Sequence, residues 1–256
     1  MTSPVDLPVV GVLACQKRRA NGSTYSRVND VLVTQLARLG PVCPVLVPTV
    51  RPDLLGGTLR ALDGLVLPGS GSYLHPSRYP TADRPVPDRE YDEARDEAAL
   101  TLLSAADELP DLPVLGSCRG MQEIVVHCGG RLREVTDTGV PHRLADDGGD
   151  GRWAPAHELR IREGGLLAQL PGPARVAGPV RVNSAHSQVV TDLPDSVRVE
   201  AEAPDGLVEA VSVDWPRRFV LGFQWHFERR PEDTPLNEGI FAEFAARCRS
   251  RRRGRS

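Results

Sequence analysis

Lysine is almost missing from this chain of 256 residues: Lys17 is the sole one, and arginine supplies the rest of the positive charge. That bias reads as nucleotide composition and assigns no chemistry to the guanidinium groups. Net positive charge is also lacking. A formal balance of −3 offers no fixed field to attract nucleic acid or an anionic membrane, so neither is an expected partner. The N-terminal apolar run, in MTSPVDLPVVGVLACQ, has no basic segment ahead of it, is interrupted by proline and falls far short of a membrane span. A cytoplasmic protein is therefore expected. Cysteines are few and scattered: Cys15, Cys43, Cys118, Cys128 and Cys248 form no C-x-x-C pair. Neither a disulfide framework nor a zinc site is favoured, and no metal or organic cofactor is expected.

What is present is an alternation of apolar β-branched runs with helical periodicity. LPVVGVLA, CPVLVP, GLVLPG and LPVLGS read as strands, separated by helices over Ser26–Leu39, Leu54–Leu62 and Arg89–Ala106. Continuous apolar strands of this kind predict a parallel sheet covered on both faces, with the active site at the strands' C-terminal ends. Two stretches rich in Pro, Gly and Asp, PGSGSYLHPSRYPTADRPVPDRE and TDTGVPHRLADDGGDGRWAP, read as long loops that shape a pocket. The second half turns to strands with hairpin spacing, including an Asp205-Gly206 turn, and a closing helix over Pro235–Arg247. A single domain over 1–249 is expected, followed by a basic, disordered tail at 250–256.

GSCRG places Cys118 between Gly116 and Gly120, the pattern of a nucleophile elbow, in which a strand turns abruptly into a helix and its neighbours must be tiny. The helix beginning after Cys118 sets its positive end beside the sulfur, which favours the attacking thiolate. Among six histidines, His226 stands out because Glu228 follows two residues on in VLGFQWHFE. Two apart on an extended strand, the pair points the same way, and the carboxylate can orient the imidazole as a base. The glycines of PGSGS and the Arg119 N–H, first in the helix, could receive the negative charge that grows on an attacked carbonyl oxygen.

With these segments in place, the chain resembles the class I glutamine amidotransferase-like hydrolases, peptidase family C26. LPGSGSYLHPSRY, CRGMQEIVV, APAHELRIREGGLLAQL, VNSAHSQ, PDGLVEAVSV and LGFQWHFE carry the likeness, in that order, over nearly the whole chain. The resemblance implies an α/β fold with a mostly parallel, flavodoxin-like central sheet flanked by helices, plus an additional antiparallel β element. It implies a Cys118, His226, Glu228 triad, with oxyanion donors near Ser70 or Gly71 and at Arg119. Gln122 would face a bound γ-glutamyl group, and Asn183, Ser184, His186 and Gln188 would receive its α-amino and α-carboxylate groups. The implied partner is a small-molecule γ-glutamyl amide, cleaved to glutamate and an amine such as 4-aminobutyrate in putrescine degradation. The alternatives are a glutaminase subunit that donates ammonia to a synthase, a deprotecting hydrolase of secondary metabolism and a catalytically silent binding module. A homodimer is the default expectation. Two positions depart from the family pattern: Ser187, where a second histidine is frequent, and Phe227, which makes the usual H-P-E into H-F-E.

Overall fold

The computed structural model describes residues 7–255 apart from 82, 136, 146–148, 171–178 and 215–217. Its strands are β1 (Val9–Leu13), β2 (Cys15–Arg18), β3 (Thr24–Arg27), β4 (Cys43–Val47), β5 (Gly64–Leu67), β6 (Val114–Ser117), β7 (Arg131–Glu134), β8 (His157–Ile161), β9 (Val180–Val182), β10 (Gln188–Thr191), β11 (Val197–Glu202), β12 (Val208–Val213) and β13 (Val220–Phe223). The helices are α1 (Asp30–Leu39), α2 (Leu55–Arg60), α3 (Glu93–Asp107), α4 (Arg119–His127) and α5 (Pro235–Arg255).

One sheet carries nine strands in the order β4-β1-β5-β6-β13-β12-β11-β8-β9. From β4 to β13 every pairing is parallel, and from β13 to β9 every pairing is antiparallel. The antiparallel element expected from the sequence is therefore an extension of the main sheet. Two small ribbons, β2-β3 and β10-β7, stand apart from it.

Alternation along the parallel strands explains why both faces are apolar. Val10, Val12, Val66, Leu115 and Leu221 face α1 and α5 through Leu32, Leu36, Ile240, Phe241 and Phe244. Their neighbours Leu13, Leu65, Leu67, Val114 and Val220 face α2 and α3 through Leu55, Leu59, Leu102 and Leu103. Side chains two apart along a strand share a face, so a strand buried on both sides must be apolar throughout.

Several boundaries differ from the sequence expectation. α1 begins at Asp30 and not at Ser26, because Thr24–Arg27 pairs with β2 and Asn29 caps the helix by accepting the Val31 N–H at 3.2 Å. The Asp205-Gly206 turn forms as expected, with Gly206 at φ 84° and its N–H on Ala203 O, joining β11 to β12.

The expected disordered tail is corrected: α5 continues to Arg255, and Ser256 alone lies outside the described residues of that segment. Buried partners hold it. Arg251 is 6% exposed, pairs with Asp111 and donates Nε to Leu62 O at 3.2 Å. Arg252 and Arg255 both reach the buried carboxylate of Asp63, at 3.1 and 3.2 Å. Composition showed the charges but not the acids that receive them. Among the described residues, no helix is long and apolar enough to cross a membrane.

Candidate active site

At the C-terminal end of β6 the chain turns into α4, and the turn residue is Cys118, at φ 49° and ψ −105°. A positive φ at a residue with a side chain is strained and has to be held by its surroundings. Here Cys118 N donates to Phe223 O at 2.6 Å, tying the elbow to β13. The flanking glycines are required by contact. A β-carbon on Gly116 would sit 2.7 Å from the Gly120 carbonyl carbon, and one on Gly120 would overlap the Leu67 carbonyl.

β13 delivers the second component. His226 and Glu228 lie just past its end, in a turn closed by the Arg229 N–H on His226 O at 3.1 Å, and not on an extended strand as the spacing suggested. Their approach survives the change of backbone: His226 Nδ1 stands 2.6 Å from Glu228 Oε1. The other carboxylate oxygen accepts from Ser117 Oγ at 2.9 Å, which links Glu228 to the residue before the cysteine. Burial alone would lower the His226 pKa, but the negative charges of Glu228 and of the Cys118 sulfur outweigh it and raise the imidazole to about 10. Glu228 is held below the usual carboxylate range, its burial offset by the facing imidazole and by Ser117.

Cys118, His226 and Glu228 line one cavity of about 450 Å³ together with Gly69–Tyr73, Arg119, Gln122 and Ala185–Gln188. Both long loops contribute, the second through Arg143, Arg152 and Trp153; its residues 136 and 146–148, and residue 82 of the first, lie outside the described residues. The cavity collects Lys17, Arg27, Arg143, Arg152 and Arg229, whereas among the described residues Glu228 is the sole acid that lines it. Trp153 meets the His226 ring edge-on, with centroids 4.9 Å apart, and Arg229 covers the indole at 4.7 Å. Arg119 turns its side chain away from this chemistry, into a buried network with Asp96, Ser72 and Glu123. Arg95 extends the network, holding Glu123 at 2.9 Å and donating to Cys15 Sγ at 3.0 Å. Burial pushes the Cys15 thiol up, but Arg95 and the Ser70 hydroxyl more than reverse this and leave it below its usual range. Ser70 Oγ in turn contacts Ser72 Oγ at 2.9 Å and accepts the Ser72 N–H at 3.2 Å, bracing the Gly-rich loop over the elbow.

The remaining expected binding residues divide. Gln122 and Gln188 line the cavity, and Gln122 Nε2 donates to Gln188 O at 2.9 Å. Asn183 and Ser184 do not line it, a correction to their expected contact with substrate. Asn183 accepts the His226 N–H and donates to His226 O, both at 2.9 Å, while Ser184 Oγ donates to His142 O at 2.8 Å. His186 borders the cavity, but its Nδ1 is engaged by Gln188 O at 3.1 Å and its Nε2 faces Glu209. The two departures from the family pattern also separate: Ser187 lies at the cavity and accepts from Arg143 at 2.9 Å, whereas Phe227 is wholly buried against Phe223 and Phe241.

Gln224 is a component the sequence reading missed. Its Nε2 donates to Cys118 Sγ at 3.6 Å and its Oε1 accepts from Gln122 at 3.2 Å. The spacing that singled out His226 and Glu228 extends back to it, two residues earlier in FQWHFE.

Comparison with known proteins places the chain in a family. The peptidase C26 profile matches residues 8–228. The chain is 35% identical over 256 residues to the γ-glutamyl-γ-aminobutyrate hydrolase of Escherichia coli O157:H7, covering 97% of this chain and 96% of that protein. It is 34% identical to the corresponding hydrolase of Escherichia coli K12, with the same coverage. The crystal structure of a glutamine amidotransferase from Methylobacillus flagellatus superposes with a TM-score of 0.55 at 14% identity, covering 96% of this chain and 94% of that one. At that identity the likeness concerns the fold, which is the class I glutamine amidotransferase fold. The chain belongs to the peptidase C26 family of hydrolases.

Proposed function

We propose that the protein hydrolyses γ-glutamyl amides through a thioester on Cys118. The observation that carries this reading is the placement of His226, with Nδ1 on Glu228 at 2.6 Å and a pKa raised jointly by Glu228 and Cys118. With Nδ1 committed to the carboxylate, Nε2 is left to exchange protons with the sulfur and the substrate.

Cys118 Sγ attacks the γ-carbonyl carbon, and the electron pair of the C=O bond moves to oxygen, facing the Arg119 N–H and the backbone of Ser70 and Gly71. No earlier turn of helix takes up the first N–H groups of α4, so Arg119 N–H is available to an anion. The oxyanion re-forms its double bond, the C–N bond breaks, and His226 delivers a proton to the departing amine. Neutral His226 then takes a proton from water, the resulting hydroxide attacks the thioester, and cleavage of C–S releases glutamate and restores the thiolate–imidazolium pair.

The cationic lining supports an acidic substrate. γ-Glutamyl-4-aminobutyrate carries a carboxylate at each end, and Arg143, Arg152 and Arg229 border the cavity beside the candidate base. The relatives named for that substrate, at 34–35% identity, favour it further.

Release of glutamate from γ-glutamyl-4-aminobutyrate, γ-glutamyl-putrescine and glutamine, measured side by side, tests the proposal. Preference for the first is expected, together with a loss of ~10⁴-fold or more in Cys118→Ala. Full turnover in Cys118→Ala overturns the mechanism. Preference for the cationic γ-glutamyl-putrescine, or glutamine turnover only with a partner protein, overturns the substrate assignment.

A further inference from the structure

Three histidines from separate segments turn toward one carboxylate beside the cavity. His142 Nδ1, His157 Nε2 and His186 Nε2 lie 3.5, 3.3 and 3.5 Å from Glu209 Oε1. The ligand atoms of His142, His157 and Glu209 all lie within 4.8 Å of one another. None of the four residues is more than 4% exposed.

The far nitrogen of each ring is already engaged. His142 Nε2 stands 2.8 Å from Asp205 Oδ2, His157 Nδ1 3.2 Å from Glu158 O, and His186 Nδ1 3.1 Å from Gln188 O. Carbonyl and carboxylate oxygens only accept, so each of these nitrogens carries the hydrogen, and in a neutral ring the other nitrogen presents a lone pair. Three lone pairs and an anionic oxygen thus converge in a buried interior. Neither those nitrogens nor either Glu209 oxygen has a hydrogen-bond partner among the described residues.

Acceptors that face one another in low dielectric need positive charge between them. Protons could supply it if the rings were imidazolium, but charge-assisted N–H···O bonds close to roughly 2.7–2.9 Å, shorter than any of the three approaches. A cation held by His142, His157 and Glu209 matches the two nitrogen-to-carboxylate distances of 3.5 and 3.3 Å. Around a tetrahedral ion with bonds of about 2.0–2.2 Å, adjacent ligand atoms stand about 3.3–3.6 Å apart. The outer partners also match, since a metal-bound histidine donates its second N–H to a carboxylate or carbonyl that fixes the ring. Asp205 is itself fixed, by Thr138 Oγ1 at 2.5 Å and the Leu207 N–H at 3.2 Å.

We propose that His142, His157 and Glu209 form a structural site for a divalent transition metal, zinc on the strength of this ligand set, with His186 bordering it through Glu209. The site joins parts that the backbone leaves far apart. His142 lies in the loop after β7, His157 opens β8, His186 borders the cavity between β9 and β10, and Glu209 on β12 accepts the Gln224 N–H at 2.7 Å through its carbonyl. Bound metal would fasten the cavity's outer loops to β12, the strand next to β13, past whose end His226 and Glu228 lie. It takes no part in the hydrolysis.

Elemental analysis of the full chain, produced with zinc and dialysed into metal-free buffer, tests this directly. About one zinc per chain is expected, with chelation lowering Tm by roughly 5–15 °C and stoichiometric zinc chloride restoring it. Cobalt(II) added to the stripped protein should develop the intense visible absorption of a tetrahedral site. Glu209→Gln should retain little zinc, while Cys118→Ala should keep its full equivalent. If Glu209→Gln fails to fold, the wild-type chelation and cobalt measurements decide alone. Less than about a tenth of an equivalent of zinc, with Tm unmoved by zinc or chelator, overturns the site, and retention of zinc by a folded Glu209→Gln overturns its ligand set.

Discussion

The imidazole of His226 occupies the space that a side chain at Gly69 would need: a β-carbon there would overlap Cε1 and stand 3.1 Å from Nδ1. Gly69 is thus a packing surface for the candidate base, and the same glycine opens the loop that lies over the elbow. Its backbone is not left-handed, so alanine can adopt the conformation. Gly69→Ala should therefore fold with Tm within about 3 °C of wild type yet lose roughly 10²-fold in kcat, because the ring must tilt away from Cys118. Undiminished kcat in this variant would show that the ring has room to spare.

Proton inventory gives a second expectation. His226 is held above its ordinary value of 6.5, to about 10, so the protonated ring that donates to the leaving amine persists through neutral pH. The alkaline limb of kcat/KM should fall near pH 10, and Glu228→Gln, which removes the larger of the two opposing charges, should bring it down by about one unit or more. For stability the signs are opposite. The contribution of His226 is complete below 6.5 and is lost as pH rises through about 10. That of Glu228, whose pKa is depressed, is present above its ordinary value of 4.5 and is lost as pH falls through the folded pKa. A wild-type alkaline limb near neutrality would remove the proposed coupling.

The sequence revealed the parts of the site that are local. Gly116, Cys118 and Gly120 make one turn, and His226 and Glu228 are two residues apart, so short-range geometry constrains each group. The parallel strands were equally legible, because both of their faces are buried and apolar residues run without a gap. What stayed hidden depends on long-range contact. Nothing near Arg251 in sequence announces Asp111, nothing near Asn183 announces the turn at His226, and His142, His157 and Glu209 meet only after β7, β8 and β12 are placed. Helix starts failed for a related reason: Ser26 suits a helix N-terminus, but pairing of Thr24–Arg27 with β2 takes precedence over that local preference.

Removal of residues 250–256 measures how far the final turns of α5 belong to the fold. Asp63 is nearly fully buried, receives the Val9 N–H at 2.9 Å and is otherwise paired with Arg252 and Arg255. Truncation leaves that carboxylate with the Val9 N–H but without its guanidinium partners, and deletes Arg251 from its buried position, at a cost of about 2–4 kcal/mol. Thermal unfolding should shift down by roughly 5–15 °C, whereas a solvated tail would leave Tm unchanged.

Asn183 separates two explanations of the same residue. Family resemblance implies contact with the substrate's α-substituents, which on removal would raise KM. In the structure the carboxamide instead clasps the peptide groups of His226, accepting from its N–H and donating to its carbonyl, each at 2.9 Å. A residue that positions the base in this way acts on the transition state more than on ground-state binding. Asn183→Ala should lower kcat by roughly 10–10²-fold with KM changed less than about threefold, and the loss of hydrogen bonds to buried backbone should destabilise the fold by about 1–3 kcal/mol. Asn183→Asp can still accept from the His226 N–H but cannot donate to the carbonyl, so it should recover only part of the rate. A large rise in KM at constant kcat would return the residue to the substrate and leave the turn at His226 to be held by the Arg229 N–H and Glu228.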